Sequence, residues 1–156
     1  MKPKMKRKDL MSKTDISNAV MDVLSAYDLS SEDNILNKSF IVYQYYSELE
    51  SGGHESLFRW FGQHIKEMGI DDYLNKLIET LEEIGAHKYA LIEKKYCKEM
   101  WNLHVALEND EIHEDEFYNV IKKATDEYYM LNDELRELLE TYFVTIYTDL
   151  IEVVED

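Results

Sequence analysis

Tyr46-Ser-Glu-Leu-Glu-Ser-Gly-Gly-His-Glu-Ser-Leu-Phe-Arg-Trp-Phe61 is the stretch that decides how this chain folds. Before Gly52-Gly53, the apolar residues Ile35, Leu36, Phe40, Val42, Tyr43, Tyr46 and Leu49 recur at helical spacing. After it, Leu57, Phe58, Phe61, Ile65 and Met68 do the same. Paired glycines stop a helix because they lose the most backbone freedom on folding, and they let two backbones approach closely. The first apolar set is too wide for one narrow stripe, which predicts a helix running through the middle of the fold. The second set predicts a further helix over 54–68.

Outward from this stretch, the same pattern covers the chain. With one proline, Pro3, and five glycines, few residues break a helix. A first helix is expected from Thr14 or Asp15, with Ile16, Val20, Val23 and Leu24 inward, ending by Asp28. The hydroxyls and acids of Ser30-Ser31-Glu32-Asp33 suit the start of the second. Asp71 or Asp72 is expected to cap a helix carrying Leu74, Leu77, Ile78, Leu81 and Ile84, closed by Gly85. Another runs from Ala86 to about Leu107. After an acidic loop over 108–116, Phe117, Val120, Ile121 and Ala124 mark the next, and Asn132 breaks the line before a last one with Leu135, Leu138, Leu139, Tyr142, Phe143 and Ile146. The expectation is an all-α, single-domain bundle of about six to seven helices over 14–156, preceded by a flexible basic tail over 1–13. At 156 residues, 45% of them hydrophobic, the chain is sized for one core.

Charge is the other strong signal. There are 33 Asp plus Glu against 17 Lys plus Arg, a formal net charge of −16. Residues 1–13 carry +5, residues 14–107 carry −8 and residues 108–156 carry −13. Nucleic acid and anionic membrane bind through Lys and Arg, so direct binding to either is excluded as a reading. No run is long and apolar enough for a membrane span. The single cysteine, Cys97, can form no internal disulfide and reads as a small buried hydrophobe, which suits a cytoplasmic location.

The acids of the last third alternate with core positions, so they are displayed on helices rather than on a loose tail. Asp133, Glu137 and Glu140 recur at helical spacing with Glu134 beside them. Like charges so placed cost a few tenths of a kcal/mol per pair. Duplex DNA carries one negative charge per roughly 1.7 Å of axis, so such carboxylates can stand in for phosphates before a basic partner. The candidate partner-binding residues are Asp110, Glu111, Glu114, Asp115, Glu116, Asp133, Glu134, Glu137 and Glu140. Lys122 with Asp126 and Lys123 with Glu127 are spaced to neutralise part of this block. A second reading keeps the acidity for solubility and gives the contact to exposed aromatics such as Trp60 or Tyr45.

An enzyme is not expected. His54, His64, His87, His104 and His113 include no His-Glu-x-x-His or Glu-x-x-His spacing. Cys97 and His104 stand about 10 Å apart by helical rise. Glu50, His54 and Glu55 are the best polar cluster, and helix capping explains them. Neither a cofactor nor a metal site is expected.

The turn Ser51-Gly52-Gly53-His54, the aromatics Phe58 and Phe61 after it, and Leu81-Glu-Glu-Ile-Gly-Ala86 some twenty residues on resemble the signature of a bacterial DNA-mimic protein family of small helical domains. The resemblance spans roughly residues 35–105. It departs at Ser51, where the family usually has Asn, and at His54, where it usually has a large apolar or aromatic residue. It implies an all-helical fold, often dimeric, whose acidic surface occupies the DNA-binding face of a transcriptional regulator. Gly52, Gly53, Phe58, Phe61 and Gly85 are then structural residues.

Overall fold

The computed structural model describes residues 2–27 and 34–155. In chain order the elements are strand β1 (Lys4–Lys6), a short 3-10 turn (Arg7–Asp9), helices α1 (Lys13–Ser25), α2 (Asn34–Met68), α3 (Ile70–Glu83), α4 (His87–Glu108), α5 (Glu114–Tyr129) and α6 (Glu134–Leu150), and strand β2 (Glu152–Val154). The expected all-α bundle is present. Its second and third expected helices are the two arms of α2, which breaks at Gly52 (φ −162°) and Gly53 (φ 72°). The expected start at Ser30–Asp33 lies outside the described residues.

The broad apolar face of α2 has the consequence expected of it: α2 is the central element and packs against α1, α3, α5 and α6. α4 lies between α3 and α5, and α1 lies along α6. Phe40, Ile41, Val42, Leu49, Leu57, Phe58, Phe61 and Ile65 of α2 are all buried in a core shared with Tyr73, Leu77, Tyr89, Tyr128, Leu139 and Phe143. Lys38 reinforces the seam between α2 and α3 by reaching both Glu79 and Glu83 at 2.8 Å.

Local chemistry sets the helix ends. The Ser12 hydroxyl accepts the Asp15 amide at 3.0 Å and starts α1. Gly85 closes α3 with φ 87°, the Ala86 amide donating back to Leu81 and the Gly85 amide to Glu82, the paired bonds of a Schellman turn. At the other end of α3, Asp71 and Asp72 lie in the first turn rather than at the cap. The helix begins directly after Gly69, and the two acids act there on the exposed amides and the dipole.

Residues 2–12 differ from the flexible tail expected of them. β1 pairs in parallel with β2, Lys4 opposite Glu152, Met5 opposite Val153 and Lys6 opposite Val154. The Glu152 amide donates to the Pro3 carbonyl at 2.9 Å, Arg7 reaches Glu155 at 3.0 Å, and Leu10 is buried. A basic segment is thus laid on an acidic one, with Met5 and Leu10 turned onto the core. Short-range patterning gives no sign of this, because the pairing partner is the opposite end of the chain.

Candidate functional site

The nine candidate carboxylates fall into two groups at opposite ends of α5, about 22 Å apart by helical rise. The first group is Asp110, Glu111, Glu114, Asp115 and Glu116. Asp110 ends α4 in a left-handed conformation (φ 57°), with the Glu111 amide returning to the Ala106 carbonyl at 2.9 Å. Glu114, Asp115 and Glu116 form the first turn of α5, where the helix dipole favours negative charge. The buried ring of Phe117 anchors this end against His104. All five acids are exposed, and none pairs with a Lys, Arg or His among the described residues.

The second group opens α6. Asn132 and Asp133 both have positive φ (53° and 63°), which turns the chain sharply out of α5. The buried Tyr89 hydroxyl accepts the Leu135 amide at 3.1 Å and fixes the start of the helix. Here the charges are partly compensated. Glu134 lies 3.9 Å from Lys88, and Glu140, half-buried, lies 3.5 Å from Arg136. Glu50 comes near from α2, its carboxyl raised above the usual range chiefly by burial, with Asp133 adding to the effect. Of the expected neutralising pairs, Lys122 meets Asp126 at 2.7 Å, whereas Glu127 turns instead to Lys95 on α4 at 3.6 Å.

The break in α2 is built around a buried polar cluster. The sequence suggested His54 with Glu50 and Glu55, but the ring turns inward. His54 Nε2 lies 2.7 Å from Glu93 Oε2 of α4, and both side chains are 0% exposed. The Tyr45 hydroxyl donates to the same oxygen at 2.8 Å. On the other side, Thr125 Oγ1 of α5 accepts the His54 amide at 3.2 Å and lies 3.0 Å from His54 Nδ1. Next to the break, the Tyr129 hydroxyl donates to the Leu49 carbonyl at 2.9 Å, and Ser56 donates to Glu48 at 2.6 Å. The kink is thereby tied to α4 and α5. Burial, with the Glu93 carboxylate close by, pushes the Tyr45 phenol well above its ordinary value and does the same to the Cys97 thiol. Cys97 is buried and Glu55 instead accepts from Tyr118 at 3.0 Å. Closed off from solvent, the cluster ties α2, α4 and α5 together.

Glu93 and Thr125 were missed in the sequence. A signal for Glu93 existed: it lies on the inner stripe of α4 with Tyr89, Ala90, Cys97 and Met100, an acid at a core position that needs a partner. Tyr45, offered as an exposed contact aromatic, is 0% exposed, while Trp60 is 70% exposed. Among the described residues no three His, Cys, Asp or Glu side chains are grouped to hold a metal ion, and no helix is long and apolar enough to cross a membrane.

The sequence pattern described as DMP19-like protein matches residues 31–146. The chain belongs to the DMP19-like protein family. This is a DNA-mimic family, and membership accords with the resemblance carried by the Gly-Gly turn and the Ile84-Gly85-Ala86 element. No curated protein and no solved structure matches the chain. The DMP19-like region takes in α2 to most of α6, and with them the kink, His54, Glu93, Thr125 and both groups of carboxylates. The β1–β2 pair lies outside it.

Proposed function

We propose that this protein acts as a DNA mimic toward a basic DNA-binding protein, a transcriptional regulator or a nucleoid protein, with Asp110, Glu111, Glu114, Asp115 and Glu116 as the principal contact. One observation carries this choice of surface: five exposed carboxylates within seven residues pair with no cation among the described residues. Each is free to accept a charge-assisted hydrogen bond from Lys or Arg in place of a phosphate oxygen. Family membership supports the type of role. Asp133, Glu134, Glu137 and Glu140 form a secondary contact, weakened by Lys88 and Arg136. No catalytic step and no cofactor belong to this reading.

The test begins by capturing a partner from nuclease-treated lysate and purifying it. Its complex with the wild-type chain should be displaced by duplex DNA. Replacing the five acids by Asn or Gln should weaken it at least tenfold and flatten its salt dependence. Gln at Glu134, Glu137 and Glu140 should have a smaller effect. Unchanged affinity in the five-fold variant would sink the choice of surface, and indifference to duplex DNA would sink the mimic itself. A second reading, an apolar docking module, is favoured by Leu91 and Met130, which are 61% and 76% exposed and line one shallow groove. A complex made there should survive high salt.

A further inference from the structure

Although the chain carries a net charge of −16, the cleft beside Gly62 has a cation at each end of one wall, and neither is paired among the described residues, unlike Lys88 and Lys95 of the groove at Leu91. The cleft has a volume of about 650 Å³ and lies between the second arm of α2 and the C-terminal half of α4, closed at one end by the start of α3. Such a volume falls within the roughly 300–1,000 Å³ of ligand sites. Its α2 wall is the stripe Arg59, Gly62, Gln63 and Lys66, spaced i, i+3, i+4, i+7 and therefore on one helix face. Gly62 leaves the middle of that stripe without a side chain. A Cβ there would meet only His104 and Trp101, at 3.7 and 4.0 Å. The floor is aromatic: the His104 ring stacks on Phe58 with centroids 5.7 Å apart and lies 5.5 Å from Trp101.

The charges are arranged to leave the two cations available. Glu108 is the acid of the cleft, and its Oε1 is engaged by His104 Nε2 at 2.6 Å. Neither Arg59 nor Lys66 pairs with a carboxylate among the described residues. Lys76 and Lys123 are likewise unpaired among the described residues, but neither lines this cleft. The Arg59 guanidinium lies 5.7 Å from the Trp60 ring centroid. The backbone positions of the two residues are separated by about 10 Å of helical rise, with Gly62 between them, and both side chains are long enough to lean toward that gap. The repulsion of carboxylates farther than about 8 Å is screened at physiological salt, which leaves Glu108, with Asp110 and Glu111 close after it in the chain, as the near negative charges that Arg59 and Lys66 must outweigh.

We propose that this cleft binds a small organic anion, its carboxylate or phosphate held by Arg59 and Lys66 and its apolar body lying over Gly62 against Trp101 and Val105. The site uses none of the carboxylates assigned above, although Asn109 of its lining directly precedes Asp110 and His104 of its floor meets Phe117.

The probe is anilinonaphthalene sulfonate, an anion on aromatic rings, added to the full chain carrying Trp60→Phe so that Trp101 is the one indole donor. Saturable binding of one dye per chain, with energy transfer from Trp101, is expected. Arg59→Gln with Lys66→Gln, both exposed side chains, should weaken it at least tenfold while the thermal unfolding curve is unchanged. Phenylnaphthylamine, the same rings without the sulfonate, should bind at least tenfold more weakly. Displacement of the dye by adenosine monophosphate or by phenylacetate tells a phosphate from a carboxylate ligand. No saturable dye binding, an affinity unmoved by the double variant, equal binding of the neutral rings, or displacement by neither competitor overturns the proposal.

Discussion

Gly53→Ala should be among the most damaging single-methyl additions in this chain, and its cost can be worked from the kink. Gly53 has φ 72° and ψ −163°, a region almost restricted to glycine, where an L-residue is strained by about 1–3 kcal/mol. The added Cβ would lie 2.7 Å from Thr125 Cγ2 and 3.0 Å from Thr125 Oγ1. Turning Thr125 away breaks its contacts to the His54 amide and Nδ1, each worth about 1 kcal/mol. The total is about 3–5 kcal/mol out of the roughly 5–15 that hold a domain together. Gly69→Ala is the control, because Gly69 also has positive φ (89°) but nothing lies within 4 Å of its added Cβ. It should lose only the backbone strain, about 1–3 kcal/mol, without the broken contacts. Thr125→Ser removes the clashing methyl and keeps the hydroxyl, so in the Gly53→Ala background it should restore about 1 kcal/mol, whereas alone it should cost something. Urea unfolding followed by circular dichroism measures all four variants. If Gly53→Ala loses no more than Gly69→Ala, and Thr125→Ser costs the same in either background, the steric account of the kink is wrong.

Two other expectations concern the histidines. His54→Ala leaves the Glu93 carboxylate buried with Tyr45 as its remaining partner, a loss of about 3–5 kcal/mol; adding Glu93→Leu should cost at least about 1 kcal/mol less than the sum of the single changes, and strict additivity in urea unfolding would refute the coupling. The His104 pKa is lowered by burial among Phe58, Trp101 and Phe117, which outweighs the opposing pull of Glu108. Below pH about 6.5 the unfolded chain therefore binds a proton that the folded chain lacks, and stability falls as pH drops toward the folded value. The loss in melting temperature between pH 7 and pH 5 should be smaller in His104→Phe than in the wild type; an equal loss would mean that His104 does not contribute to it.

The helices were legible in the sequence because their signals are local. Apolar residues three and four apart mark the inward faces of α2, α4 and α6 whatever those helices meet, and Gly85 closes α3 because the left-handed turn there suits glycine. The break at Gly52-Gly53 was legible for the same reason, as was the uneven distribution of charge. Tertiary structure decided everything that depends on which face meets which. It carried Glu93 and Thr125 to His54 across 39 and 71 residues of chain, because a buried polar ring must find partners wherever the packing places them. It laid residues 4–6 beside residues 152–154, a parallel pairing that no short-range pattern encodes. It also divided nine acids that read as one block between two ends of a helix. Periodicity shows which side of a helix turns inward, but only the packed bundle sets which charges become neighbours and which of them keep no partner.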